Sequence, residues 1–213
     1  MTGPEDHLRQ EMVRLCGLLF ARGYSVGSAG NVSVRLPDGY LITPTNAMLG
    51  ALEPDRISKL DHDGNHLGGD RPSKEFPLHR AFYDTRPQAG AVVHLHSTWA
   101  TALSVLAGTD PEDCVPPITP YVVMRVGRVK MVPYIRPGDP GMGDLIRALE
   151  GRHAAVLLAN HGPVVSGKDL FSAVCAAEEL EETAKLLVAL QGSEVRLLSR
   201  EAVDELGRVF GQI

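Results

Sequence analysis

The part of the sequence that decides the fold is the apolar run Ala91-Val92-Val93-His94-Leu95-His96. Its composition predicts a buried β-strand, in which every second side chain points to the same face, so both imidazoles project together. Polar groups without partners are costly to bury, at roughly 2–7 kcal/mol each against an apolar reference, so both rings need partners. A metal ion is the partner that best suits two neutral imidazoles on one face.

A third histidine, His161, follows a second apolar run that ends at Asn160. A single histidine at a strand end is more often a structural residue, but strand ends are also where α/β proteins build sites. If His161 meets His94 and His96, three imidazoles with one open position form the ligand set of a catalytic zinc site. Mn²⁺ and Co²⁺ remain alternatives to Zn²⁺, because imidazoles accept several divalent ions. We do not expect the other histidines to be ligands: His7, His62, His66, His79 and His153.

The composition describes an ordinary globular protein, and 213 residues suit one domain over residues 1–213. The formal charge of −5 argues against a nucleic-acid partner, which a basic surface would bind. No apolar stretch approaches the 18 or so residues that cross a membrane. The three cysteines are scattered, which fits a reducing compartment, and residues 1–6 lack the basic-then-apolar order of a signal peptide. We therefore expect a cytoplasmic protein without nucleic-acid or membrane partners.

Hydrophobic periodicity predicts a single-domain, three-layer α/β/α fold with a mainly antiparallel central sheet. Ser73 is expected to cap a helix that runs through Tyr83. Glu178, Glu179, Glu181 and Glu182 are expected to form a solvated face of a long helix. The predicted helices are 8–23, 73–83, 98–106, 139–149, 168–190 and 201–210, and the predicted strands are 32–36, 40–43, 57–60, 66–67, 91–96, 129–132 and 154–159.

Two segments have the composition of an anion-binding site. In Gly27–Ser33, small residues let backbone N–H groups approach a ligand closely, and the Ser28 and Asn31 side chains add hydrogen bonds. Pro72–Glu75 opens a predicted helix, whose dipole favours negative charge, and Lys74 would strengthen this effect. Both segments also have a plainer interpretation, because Gly/Ser/Asn clusters usually mark ordinary loops and acidic residues are common in first helical turns.

Five motifs taken together resemble the class II aldolase/adducin family, in its order and nearly its spacing. They are SAGNVSVR (28–35), ITPT (42–45), PSKE (72–75), VVHLH (92–96) and HGP (161–163). The resemblance implies a class II aldolase-like fold and a four-fold homotetramer with active sites at subunit interfaces.

The resemblance also implies roles for individual residues. His94, His96 and His161 match the family's zinc ligands. Glu75 matches its acid/base carboxylate, which also reaches the metal. Five residues fall on or beside positions that contact a substrate phosphate: Ser28, Asn31, Thr45, Asn46 and Ser73.

Lys74 departs from the family's sugar-phosphate aldolases, which have a second serine there. Together with Pro116–Tyr121 and Arg136–Pro140, it resembles the 3-oxo-tetronate 4-phosphate decarboxylase branch. This implies a carboxy-lyase that converts a phosphorylated 3-oxo acid into dihydroxyacetone phosphate and carbon dioxide through a zinc-stabilised enediolate. We assign Lys74 to the phosphate, because an ammonium group that stabilised the substrate carboxylate would slow its loss. Tyr121 matches a position that donates a proton in aldolases.

The chemistry expected of Glu75 is protonation of the enediolate carbon, which requires burial to raise its pKa towards neutrality. Two other functions remain open. One is an aldolase that cleaves fuculose- or ribulose-type 1-phosphates. Lys74 and residues 116–121 match this aldolase less well than the decarboxylase branch. The other is a non-catalytic adducin-like interaction module, which would have no physical need for a metal site with an open position.

Overall fold

The structure, a computed structural model, describes residues 3–210. Eight strands and seven α-helices are found in this part of the chain. The strands are β1 (Asn31–Leu36), β2 (Gly39–Ile42), β3 (Ser58–Leu60), β4 (His66–Gly68), β5 (Ala91–His94), β6 (Val129–Val132), β7 (Ala155–Leu158) and β8 (Gly162–Gly167). The helices are α1 (Pro4–Ala21), α2 (Phe76–Thr85), α3 (Thr98–Val105), α4 (Pro120–Arg125), α5 (Gly141–Arg147), α6 (Leu170–Ala189) and α7 (Arg200–Phe210).

The strands form one mixed sheet in the order β4-β3-β2-β1-β5-β8-β7-β6. Neighbouring strands are antiparallel, except β6 and β7, which are parallel. The α/β class and the mainly antiparallel sheet therefore agree with the sequence-based prediction. Strand β5, which carries the histidine motif, lies in the interior of the sheet between β1 and β8.

Side chains alternate between two hydrophobic clusters along the central strands. On β5, Ala91 and Val93 pack with residues of α1, α3 and α6, whereas Val92 packs with residues of α2 and α5. On β7, Leu157 belongs to the first of these clusters and Val156 to the second. Because apolar residues cover both faces of β5 and β7, these strands are uninterrupted apolar runs rather than alternating patterns.

The prediction missed strand β8, which lies between β5 and β7. Proline lacks an N–H donor, so Pro163 in the second position argued against an interior strand. In the structure the Pro163 carbonyl accepts a hydrogen bond from the Leu95 N–H, at 3.2 Å. The residue therefore pairs, through its acceptor alone, with the segment that directly continues β5.

The prediction also missed helix α4, which forms within the proline-rich passage. Pro120 occupies the first turn, where its missing N–H costs nothing. Thr119 caps the helix, because its hydroxyl accepts a hydrogen bond from the Val122 N–H at 3.3 Å. None of the helices in the described part of the chain has the length and apolar composition needed to cross a bilayer.

Candidate metal centre

Strand β5 brings the histidine motif to the middle of the sheet. His94 is the last residue of the strand and is fully buried. Its Nδ1 lies 2.9 Å from the Pro163 carbonyl, so the ring donates its proton there and keeps the Nε2 lone pair for a ligand. His96 follows two residues later, just beyond the strand.

His161 lies in the turn that joins β7 to β8. Because β8 pairs with β5, this turn lies beside His96. The Nε2 of His161 is 2.9 Å from the Nε2 of His96, which is 3.2 Å from the Nε2 of His94. Tetrahedral zinc ligands with bonds of about 2.0–2.1 Å lie about 3.3 Å apart, so this spacing suits a shared ion.

Glu75 completes the group. Its Oε2 lies 3.5 Å from the His94 Nε2 and its Oε1 lies 3.9 Å from the His161 Nε2. The four ligand atoms lie within 4.8 Å of one another. The three imidazole nitrogens, with His94 buried and the others half-buried, fit a divalent cation that keeps a fourth position open. The Glu75 carboxylate lies beside that position, close enough to reach the ion as well.

Two glycines allow the backbone to close around the end of β5. A Cβ on Gly162 would lie 2.3 Å from the Leu95 carbonyl oxygen, and one on Gly30 would lie 2.8 Å from the His94 carbonyl oxygen. Gly30 also adopts φ +79°, which side chains rarely tolerate. Only glycine therefore lets these two segments approach the strand end from either side.

A chain of buried polar groups holds Glu75. The Asn31 amide N–H donates a hydrogen bond to Glu75 Oε2 at 2.7 Å, and the Asn31 side-chain oxygen accepts one from His79 Nε2. His79 Nδ1 lies 2.8 Å from the Ser33 hydroxyl, which lies 2.7 Å from the Tyr83 hydroxyl. Asn31, expected to contact phosphate, thus orients the carboxylate, and His79 supports it without joining the ligand group.

The prediction that Ser73 caps the second helix was wrong. Helix α2 begins at Phe76, and Glu75 occupies the cap position without making a side-chain cap bond. The Glu75 side chain is directed instead to the histidines and Asn31. Ser73 stabilises the preceding turn, because its hydroxyl accepts a 3.3 Å hydrogen bond from the Glu75 N–H.

Burial does not raise the pKa of Glu75 as expected from the sequence. Desolvation acts in that direction, but the neighbouring His94 and the hydrogen bond from Asn31 outweigh it, so the pKa of Glu75 is lowered. Burial lowers the pKa of His94 to about 4, and it also lowers the pKa values of His96 and His161. Near neutral pH the site therefore offers neutral imidazoles and an ionised carboxylate, the protonation states that metal binding needs.

The structure spreads the remaining predicted site residues over several loops. Ser28 and Asn46 are exposed and Thr45 is half-buried, whereas Ser73 is buried. Asn46 has φ +58° in a turn that follows β2. Tyr121 is 54% exposed on α4, with the Arg125 guanidinium 5.6 Å from its ring centre, and it does not join the Glu75 group within this chain.

Glu181 is a residue whose role the sequence did not reveal. It was expected on a solvated helix face, but it is 1% exposed. Its carboxylate accepts hydrogen bonds from the Ser97 hydroxyl at 2.7 Å and from the Trp99 and Ala100 N–H groups at 2.8 Å. Glu181 thus caps α3 immediately after His96. The signal available in the sequence was its spacing, four residues after Ala177 and three before Ala184, which places it in the apolar stripe of the helix.

A small pocket adjoins the metal group. Glu75 and His161 line it together with Lys74 and with the segment Arg136–Asp139, which precedes α5. The pocket is therefore lined by two potential metal ligands and by two basic residues, Lys74 and Arg136. Such a combination suits a negatively charged ligand that also reaches the ion.

The family profile described as the class II aldolase and adducin N-terminal domain matches residues 10–188. The chain belongs to the class II aldolase and adducin family. Family members with similar sequences include a 3-oxo-tetronate 4-phosphate decarboxylase from Pectobacterium atrosepticum, 51% identical over 95% of this chain and 93% of the relative. An L-fuculose phosphate aldolase from Haemophilus influenzae is 36% identical over 92% of this chain and 90% of the relative.

Two solved structures are similar to this chain over nearly its whole length. YgbL from Escherichia coli, for which aldolase, epimerase and decarboxylase activities are named as alternatives, has a TM-score of 0.93. It is 50% identical, and the match covers 96% of this chain and 99% of YgbL. An L-fuculose 1-phosphate aldolase has a TM-score of 0.87 at 27% identity, covering 99% of this chain and 98% of the aldolase.

Proposed function

We propose that the protein decarboxylates 3-oxo-tetronate 4-phosphate to dihydroxyacetone phosphate and carbon dioxide. The observation that carries this proposal is a complete Glu75–His94–His96–His161 group in a chain about half identical, over nearly its whole length, to decarboxylases of that name. A non-catalytic role is less consistent with the structure, because a binding module has no need for buried imidazoles that converge on an open position.

The three histidines and Glu75 would hold a divalent ion, which we propose to be Zn²⁺, with Mn²⁺ or Co²⁺ as alternatives. When bound, the ion would supply Lewis-acid stabilisation of the negative charge that develops on the substrate oxygens, worth several kcal/mol. The hydrogen bond from His94 to the Pro163 carbonyl supports this role, because it fixes the ring orientation and directs Nε2 to the centre.

The phosphate would be bound on the Lys74 side of the site. Lys74 lines the pocket beside Glu75, and Ser73 immediately precedes it. The family resemblance adds Ser28, Asn31, Thr45 and Asn46 to this subsite. Binding energy from the phosphate, which is remote from the reacting bond, then orients the substrate.

Glu75 would transfer the proton. Its lowered pKa makes it a carboxylate in the resting protein, so it must accept a proton before it can donate one. The hydroxyl at carbon 2 of the substrate is a suitable source. As carbon dioxide leaves, the bonding electrons move towards the carbon-3 carbonyl to give an enediolate, and Glu75 returns the proton to carbon 2. A proton from solvent then restores the hydroxyl on carbon 2, so the reaction takes up one proton overall. Asn31 holds the carboxylate in position throughout.

The alternative is cleavage of a ketose 1-phosphate, an activity that the fuculose phosphate aldolase relatives suggest. Metal-loaded protein should be offered 3-oxo-tetronate 4-phosphate and, separately, fuculose and ribulose 1-phosphates. Carbon dioxide release from the first without aldehyde release from the others supports the decarboxylase. The reverse result would establish the aldolase, and inertness towards both, with metal bound, would favour the non-catalytic module.

We also propose a homotetramer with active sites at subunit interfaces, as the family resemblance implies. Exposed apolar side chains on α4 and α7 support this assembly: Tyr121 is 54%, Val209 64% and Phe210 60% exposed. The cytoplasmic location remains a prediction from the sequence.

A further inference from the structure

Two basic residues, Lys74 and Arg136, line the small pocket beside the metal group from different segments. Lys74 lies just before α2, and Arg136 belongs to the loop that precedes α5. The loop packs directly on Lys74, since a Cβ added to Gly138 would lie 3.9 Å from the Lys74 Cβ. Gly138 has φ +77°, which lets the loop turn at this point.

Arg136 has most of its hydrogen-bonding capacity free. Its side chain is 79% exposed, and its ion pair with Asp139 is long, at 3.7 Å. Asp139 is itself engaged with the start of α5, because its Oδ1 accepts a 3.0 Å hydrogen bond from the Gly141 N–H. The Arg136 guanidinium can therefore bind an anion at the solvent side of the pocket without losing a strong partner.

The proposed substrate has two anionic groups, a phosphate at one end and a carboxylate at the other. A ketose 1-phosphate has only the phosphate. If Lys74 pairs with the phosphate, Arg136 is the cation left for the carboxylate, and a guanidinium matches a carboxylate in bidentate geometry. The carboxylate must also lie close to Glu75, because Glu75 protonates the carbon that loses it, and Glu75 lines the same pocket as Arg136.

We propose that Arg136 binds the substrate carboxylate and selects acid phosphates over ketose phosphates. This role presupposes the proposed function. Strong stabilisation of the carboxylate would oppose its loss, because it would lower the energy of the ground state. Exposure of Arg136 limits this effect, since solvent screens an exposed ion pair. Arg136 therefore contributes to recognition of the acid, and its removal should raise KM more than it lowers kcat.

The test measures binding without turnover on metal-loaded protein by titration calorimetry. The first probe is a tetronate 4-phosphate, whose 3-hydroxyl replaces the oxo group and prevents decarboxylation. The second is dihydroxyacetone phosphate, which lacks the carboxylate. Arg136→Met should bind the first probe about tenfold more weakly and the second unchanged. Lys74→Met should weaken both, because both carry the phosphate.

Arg152→Met is the matched control. Arg152 is similarly exposed, at 67%, and pairs weakly with Glu150 at 3.5 Å, but it lies in a different surface region. Its substitution should change neither affinity. Equal weakening of both probes by Arg136→Met would assign Arg136 to the phosphate, and no weakening of either would remove it from the site. Either result overturns the proposal.

Failure of the proposed function gives a different pattern from failure of the Arg136 assignment. The wild type could release no carbon dioxide and still prefer the acid probe in an Arg136-dependent way. That result would support the carboxylate subsite and contradict the decarboxylase. If the wild type releases carbon dioxide and Arg136→Met has unchanged selectivity, the decarboxylase is supported and the carboxylate subsite is contradicted.

Discussion

At the scale of single residues, Glu75 combines two roles that the structure places on one carboxylate. It approaches His94 and His161 as a potential ligand, and it accepts the hydrogen bond from Asn31. Behind Asn31, His79 is fully buried and links the amide to Ser33. The position of Glu75 therefore depends on a chain of hydrogen bonds that extends through Asn31 to His79 and Ser33.

Glu75→Gln should abolish most of the turnover while the protein still binds metal. Glutamine fills the same space, but it cannot carry the proton to carbon 2, so we expect a loss of roughly 10²–10⁴-fold in kcat. Carbon dioxide release measures the loss, and metal content by elemental analysis serves as the control. Normal turnover in this variant would remove Glu75 from its proposed role.

His79 should make stability depend on pH. Burial lowers the pKa of His79 to about 3, against 6.5 in the unfolded chain. Between these values the unfolded state binds a proton that the folded state does not. The free energy of unfolding of metal-free protein should therefore decrease as the pH is lowered from 6.5 towards 3. The decrease is about 1.4 kcal/mol per pH unit for one such group. His94 adds a similar contribution down to about pH 4.

Urea unfolding of metal-free protein at pH 7, 6 and 5 tests this dependence. His79→Gln should show a shallower pH dependence than the wild type, because one titrating group is gone. An unchanged slope would mean that His79 is not held neutral in the folded protein.

The sequence predicted the group of three histidines that the structure brings together, but it did not reveal the groups that support Glu75. Neutral imidazoles on an apolar strand need partners, and this argument is local to residues 91–96. Asn31 and His79 are 48 residues apart in the chain, and nothing in either segment signals their hydrogen bond. Such contacts arise only when α2 packs on the sheet.

At the scale of elements, the first turn of α3 joins the two histidines that lie outside the strands. It follows His96 directly, and the Thr101 hydroxyl donates a 3.1 Å hydrogen bond to the His161 carbonyl. Its N-cap residue, Ser97, makes no side-chain cap bond, and Glu181 from α6 caps the turn instead. A carboxylate at a helix N-terminus is favoured by the helix dipole.

Glu181→Gln should weaken metal binding as well as folding. One amide oxygen cannot replace two carboxylate oxygens that accept three hydrogen bonds, so the first turn of α3 should loosen. We expect about a tenfold rise in the metal Kd, measured by chelator competition, together with a lower free energy of unfolding. Glu182→Gln on the same helix is the control, because Glu182 is exposed and contacts Tyr24. A loss of stability with unchanged metal affinity would make Glu181 purely structural.

Local signals predicted most elements, and the exceptions have physical causes. Strand β6 was predicted at 129–132, where the structure has it. Strand β8 was missed because its Gly-Pro start resembles a loop, and its pairing with β5 is a long-range property. Glu181 was missed because its partners belong to a helix more than 80 residues away.

At the scale of the whole molecule, the position of Tyr121 bears on the assembly. It lies on α4, which packs against α6 and α7, whereas Glu75 precedes α2, which packs against α5. In the proposed tetramer, we therefore expect Tyr121 to reach the Glu75 group of a neighbouring copy rather than that of its own chain.

Mixing two inactive variants tests the tetramer and Tyr121 together. Sedimentation of the wild type should give the mass of about four chains of 22.9 kDa. Glu75→Gln and Tyr121→Phe should each have low activity alone. Hybrid tetramers made by co-expression should recover part of it, because some interfaces combine an intact Glu75 with an intact Tyr121. Full activity of Tyr121→Phe, or no recovery in the hybrids, would contradict this arrangement.

The close approach of Gly30 and Gly162 to the end of β5 has a consequence for genetic screens. In a library of random single substitutions scored by growth, these two positions should tolerate change as poorly as the histidines, although neither contributes an atom to the ion. A fitness map alone would therefore count six essential positions around the centre, where the chemistry uses only four.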